Sequence, residues 1–165
     1  MSAYELAQLN VAIMKEPLES PLMADFVANL GRINAIAESS PGFVWRLQGE
    51  GGDSTSFRPL DANTLVNMSI WRDVESLRDY VYRSAHVEVM RRRKEWFDRM
   101  REVYVVLWWV RRSHRPGLQE AIAKLELLRA NGPTAEAFTF RQAFPPPDAP
   151  PSRLPSVFDG ECQAT

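Results

Sequence analysis

The chain has 165 residues, with 20 Lys/Arg against 21 Asp/Glu and 45% hydrophobic side chains; these values fit one globular domain with a single core and a tail. A formal net charge of −1 excludes a global pull toward nucleic acid or anionic membrane, and the longest apolar run, Val103 to Val110, is too short to span a bilayer. The lone cysteine, Cys162, excludes an intramolecular disulfide framework and a thiolate zinc cluster.

The opening residues Met1-Ser2-Ala3-Tyr4-Glu5 have no basic run ahead of an apolar core, so no secretory signal is expected and a cytoplasmic location follows by default. Leu6 to Met14 alternate loosely as a first strand, closed by Pro17. Ser20 and Pro21 then open a helix, as N-cap and first helical residue. Its core stripe is Leu22, Met23, Phe26, Val27, Leu30, Ile33 and Ala37, and it ends by Ser40, before Pro41-Gly42. Phe43 to Gln48 is a second strand, and Gly49 to Asn63 a long loop rich in Gly, Ser, Thr and Asp. Leu65 to Trp71 forms a third strand. Asp73 caps the helix that carries Val74, Leu77 and Val81, and Ser84 caps a continuation from Ala85 to Arg101.

Val103 to Val110 is a fourth strand, apolar on both faces. Gly117 to Asn131 is an amphipathic helix stopped by Gly132-Pro133, and Phe138 to Phe144 a last extended piece. The 23 residues from Ala143 to Thr165 hold six of the twelve prolines, so residues 4–144 form the domain and 145–165 a non-globular tail. The order is β-α-β-β-α-β plus a helical appendix. That is an α+β, ferredoxin-like antiparallel sheet with helices on one face. In this topology the fourth strand lies at a sheet edge, where so greasy a strand needs cover. A second copy of the chain is the expected partner, giving a homodimer.

Two constellations could carry chemistry. On the helix after Ser84, His86, Val89, Met90, Arg93, Trp96, Phe97 and Met100 share one stripe at about 100° per residue. His86 and Arg93 therefore sit among apolar neighbours, where an unpaired charge is costly. Either both line a pocket, His86 as acid, base or donor and Arg93 as anchor for anionic oxygen, or His86 bonds a backbone carbonyl and Arg93 pairs with a carboxylate or snorkels past the stripe. On the strands, Gln8 and Asn10 share one face, as do Arg46 and Gln48, and as do Asn67, Ser69 and Trp71. If helices cover one side of the sheet and a second copy the other, these polar side chains need partners or a polar-lined cavity; if one side is open, they face solvent. Arg83 to Arg115 holds ten Lys/Arg against four Asp/Glu, read as a solvated face; with no base-stacking module, a nucleic-acid partner is not expected.

Leu6-Ala7-Gln8-Leu9-Asn10, Ser40-Pro41-Gly42-Phe43-Val44-Trp45-Arg46-Leu47, Asn67-Met68-Ser69-Ile70-Trp71 and Tyr82-Arg83-Ser84-Ala85-His86 together resemble the bacterial domain-of-unknown-function family numbered 3291. The resemblance runs from about Tyr4 to Phe144, with Gly132-Pro133-Thr134 and Phe138-Thr139-Phe140 as its last landmarks. It implies a dimeric α+β barrel, whose relatives include cofactor-free antibiotic-biosynthesis monooxygenases, heme-degrading monooxygenases and simple ligand binders. In the cofactor-free oxygenases an Asn and a Trp act from one strand face, and Asn67 and Trp71 are similarly placed. The heme-degrading relatives pair an Asn on the first strand and a Trp after the third with a helical His. Asn10 and Trp71 resemble the first two, but Tyr80-Val81 stands about where the His belongs, and His86 lies some turn and a half later.

The expectation is thus a cofactor-independent, monooxygenase-like or isomerase-like protein for a small aromatic or polyketide-like molecule. His86, Asn67 and Trp71 would be catalytic, and Arg93, Arg46, Asn10, Ser69 and Trp96 ligand-binding, with no metal and no cofactor. Heme binding through His86 and a non-enzymatic interaction module are the alternatives. The last of these predicts no concave apolar pocket.

Overall fold

The computed structural model describes residues 1–151. Four strands form one antiparallel sheet: β1 (Tyr4–Ile13), β2 (Phe43–Arg46), β3 (Thr64–Trp71) and β4 (Val105–Arg111), in the order β2-β3-β1-β4. Between them run α1 (Ala24–Ser39), α2 (Val74–Arg83) and the short α3 (His86–Arg91) and α4 (Arg93–Trp96); α5 (Leu118–Asn131) follows the last strand. This is the ferredoxin-like arrangement that the element order implies.

Local chemistry explains most boundaries. Asp73 caps α2, its side chain accepting from the Ser76 amide at 2.8 Å. Gly132, at φ 71°, closes α5 by donating to the Leu128 carbonyl. Ser20 stands where an N-cap belongs, but its extended backbone leads into a single 3-10 turn, Pro21–Met23, and its hydroxyl makes no cap bond. The expected helix from Ala85 to Arg101 is broken. Arg92 turns the chain between α3 and α4, and Phe97 is already extended. The cause is tertiary: the Lys15 amide donates to the Trp96 carbonyl and the Asp98 amide to the Ile13 carbonyl, so this stretch pairs with the end of β1 instead of continuing as a helix.

Alternation along the strands sorts the side chains into two layers. Ala7, Leu9 and Val11, with Val66, Met68 and Ile70 and with Val106, Trp108 and Val110, form one face. The appended α5 lies across it through Ala121, Leu125 and Leu128. Leu6, Gln8, Asn10 and Ala12, with Leu65, Asn67, Ser69 and Trp71, form the other, under α1 to α4.

Part of the cover that β4 needs comes from the chain itself. Trp108 is 1% exposed beneath α5. The outer edge of β4 is bridged by Phe138, whose amide and carbonyl pair with those of Leu107 at 2.8 and 2.9 Å. Trp109 donates its indole N–H to the Phe144 carbonyl. The segment continues to Asp148, whose carboxylate accepts from Ser2 Oγ and the Ala3 amide and so ties the tail's start to the entry of β1. The rest of the expected tail, with Cys162, lies outside the described residues. No helix among the described residues is long and apolar enough to cross a membrane.

Candidate functional site

Between the second face and α1 to α4 lies a cavity of about 270 Å³. Its floor is polar. Antiparallel register sets Gln8 opposite Ser69 and Asn10 opposite Asn67. Gln8 Nε2 donates to Asn67 Oδ1 and to Ser69 Oγ, both at 2.9 Å, and Asn10 Nδ2 reaches Gln8 Oε1 at 3.3 Å. Ser69 Oγ also accepts the Trp71 indole N–H at 2.8 Å. The row is largely satisfied from within, as burial requires, yet Asn67 Nδ2 and Asn10 Oδ1 have no partner among the described residues. Those two groups are the floor's spare hydrogen-bonding capacity.

An aromatic stack stands beside the floor. Trp71 and Tyr80 rings lie 5.0 Å apart at 24°, and Tyr80 meets the His86 imidazole at 4.9 Å. His86 Nδ1 sits 3.4 Å from the Val81 carbonyl, which can only accept, so that nitrogen carries the proton and Nε2 keeps its lone pair. Burial holds the imidazole below its ordinary value and the nearby Arg93 charge adds to this, while the Val81 contact opposes it. The ring is neutral at pH 7. Burial likewise pushes the Tyr80 phenol well above the usual range, so it stays protonated.

Two arginines enter the wall by different routes. Arg46 stands opposite Ser69 because a bulge between Phe43 and Trp45 shifts the register of β2. It donates to Glu38 at 2.7 Å and to the Gly52 carbonyl at 2.6 Å. Gln48, expected on the same face, lies beyond the strand. Arg93 arrives from α4. Its guanidinium lies over the rings of Tyr104 (4.6 Å) and Phe97 (5.4 Å) and reaches the Val11 carbonyl at 3.4 Å. It makes no ion pair among the described residues.

All eight residues singled out in the sequence therefore meet at one cavity: His86, Asn67, Trp71, Arg93, Arg46, Asn10, Ser69 and Trp96. Tyr80, Asn29, Asn34, Tyr104 and Phe140 also line it, and the sequence singles out none of them as a site residue. Asn29 and Asn34 carry a signal. They interrupt the apolar stripe of α1 just as His86 and Arg93 interrupt theirs. Phe140 carries none, since it comes from a segment whose docking the pattern does not specify. Among the described residues no three His, Cys, Asp or Glu converge as a metal site.

A split βαβ sheet with a polar-floored cavity under its helices defines this as a ferredoxin-like α+β protein with room for a small molecule. The chain belongs to the family described as "Domain of unknown function (DUF3291)", which it matches over residues 5–154. No curated protein matches it. Among solved structures, it is similar to SnoaB, a cofactor-independent oxygenase from Streptomyces nogalater: 17% identity, 72% of this chain and 100% of that one, TM-score 0.46. It is also similar to PA3566 from Pseudomonas aeruginosa, at 14% identity over 69% of this chain and 98% of that one, TM-score 0.45. A putative antibiotic biosynthesis monooxygenase from Chloroflexus aurantiacus J-10-fl gives 12% over 68% and 97%, TM-score 0.43. At such identities no activity is transferred from them.

Proposed function

We propose that this protein binds a small, planar, partly aromatic molecule and oxygenates it without a cofactor, using His86 as general base. The observation that carries this is the Nε2 of a neutral imidazole, without a partner among the described residues, on the same cavity as the spare amide groups of Asn67 and Asn10. A base with a free lone pair at neutral pH can take a proton from an activated methylene or phenol. The resulting enolate or phenolate would be held by Asn67 Nδ2, with Trp71 as the flat wall that orients the ring. Dioxygen is the oxidant. An activated methylene becomes a carbonyl, one oxygen atom entering the product and the other leaving as water with both hydrogens.

The residues that this reading uses all come from one chain, and it makes no demand on the homodimer that the family resemblance implies. Heme does not fit. The volume is at or below the bottom of the range for drug-sized ligands, far short of a macrocycle. A pure interaction module predicts no concave pocket, and one is present.

The test is oxygen consumption with anthrone, whose oxidation to anthraquinone is followed by absorbance. The expected result is turnover above the buffer rate that falls by about 10²-fold or more in His86→Gln. A rate equal to buffer, or one unchanged by the substitution, overturns the proposal.

A further inference from the structure

The charges around the cavity are one-sided. Two arginines and one histidine line it, and no Asp, Glu or Lys does among the described residues. Of the arginines, Arg46 is already neutralised by Glu38 at 2.7 Å and further tied to the Gly52 carbonyl. Arg93 is different. It is half-buried, and among the described residues its charge is met only by the faces of Tyr104 and Phe97 and its one hydrogen bond is a long 3.4 Å contact to the Val11 carbonyl. A guanidinium offers five N–H donors in a fixed fork suited to a carboxylate. A cation drawn out of water without a counter-charge is unfavourable, and an arriving anion removes that penalty. Ring faces soften the cost but leave the donors unused.

The remainder of the lining suits a flat apolar body: Trp71, Tyr80, Phe26, Leu30 and Ile33 close around the amide floor. Tyr82 and Met90 also line the cavity but are 60% and 38% exposed, which puts them at its mouth.

Resting on the cavity reading above, we infer that the ligand is an aromatic monocarboxylate, its single negative charge held by Arg93 and its ring laid over the Gln8-Asn10-Asn67 row. One uncompensated cation selects a monoanion. A second carboxylate would have to face apolar wall or displace Glu38 from Arg46.

The test is equilibrium binding to the full chain, followed by tryptophan fluorescence, of three probes of one shape. These are 2-naphthoate, its neutral isostere 2-naphthamide, and naphthalene-2,6-dicarboxylate. The naphthoate should bind about tenfold or more tighter than both others, the size of one charge-assisted pair. Arg93→Gln should abolish that preference, and Arg93→Lys should retain part of it. Equal affinity for naphthoate and naphthamide overturns the inference and leaves the aromatic cavity standing. Failure of all three to bind overturns both. The wild-type comparison decides even if the Arg93 variants do not fold.

Discussion

The two faces of the sheet are built from the same strands, residue by alternate residue, and solve burial in opposite ways. Under α5 the side chains are Ala, Leu, Val, Met, Ile and Trp, close-packed around Leu9, Met68 and Trp108. Under α1 to α4 the equivalent central positions are Gln8, Asn10, Asn67 and Ser69, facing a cavity instead of a packed helix. The first face shows that this chain can make a dry, apolar layer on this sheet. The polar row on the second is then a retained cost, since buried amides bring at best modest net stability. The α5 side is packed throughout, whereas on the α1–α4 side the buried clusters around Trp71 and Trp96 frame the cavity to which the proposed chemistry is assigned.

That division is broken most directly at Trp108. Trp108→Ala should empty the dry layer and lower the unfolding free energy by about 3–5 kcal/mol, measured by urea titration. A loss below about 1 kcal/mol would mean that α5 does not seal this face. A smaller effect is expected across the sheet. Ser69→Ala removes the acceptor for the buried Trp71 indole N–H and one acceptor for Gln8, at a cost of about 1–3 kcal/mol.

The smallest change in stability should come from Gln8→Leu, Asn10→Leu and Asn67→Leu together. Asn10 Nδ2 takes its acceptors from Gln8 and Asn67, and Ser69 keeps the Trp71 N–H, so replacing all three amides leaves stability within about 1 kcal/mol of wild type. The cavity loses its floor, however, and anthrone turnover should vanish. Turnover that survives in this triple variant would separate the amide row from function and restore symmetry between the faces.

The two faces also differ in how legible they are in the sequence. Period-two alternation by itself places Gln8, Asn10, Asn67, Ser69 and Trp71 on one side of the sheet, and the 3.6 period brings His86 and Arg93 toward them. Arg46 is another matter. Counted in alternation from Phe43 it falls on the far side, and only the bulge returns it to the cavity. The break at Arg92 is invisible because Arg, Lys, Glu and Met are good helix formers; backbone pairing with β1 overrides them. The least legible feature is the cover that the chain supplies for itself. An amphipathic pattern shows that α5 has an apolar face but not which surface it meets, and nothing local announces that Phe138 will bridge the edge of β4. The need for cover is real, but much of it is met from within the chain.

His86 gives the finest discrimination, because it senses its side of the sheet through its proton. Its folded value lies below 6.5, chiefly from burial, with Arg93 adding repulsion and the Val81 carbonyl opposing. The groups around it are Tyr80, held as a phenol, and two arginines, with no lining carboxylate among the described residues to stabilise an imidazolium. The unfolded chain therefore takes up a proton as pH falls past 6.5 while the folded chain resists it. Stability from the neutral ring is fully present above pH 6.5 and is lost as pH drops through the folded value. The Tm difference between pH 7.5 and 5.5 should be wider in wild type than in His86→Gln, by on the order of 1 °C. Saturating 2-naphthoate should narrow it again, since a carboxylate on Arg93 cancels the repulsion and moves the His86 titration upward, as followed by its imidazole proton resonances. An imidazole shift that is identical with naphthoate and naphthamide would show that no counter-charge reaches this side of the sheet, and that the polar face holds its ligand by shape alone.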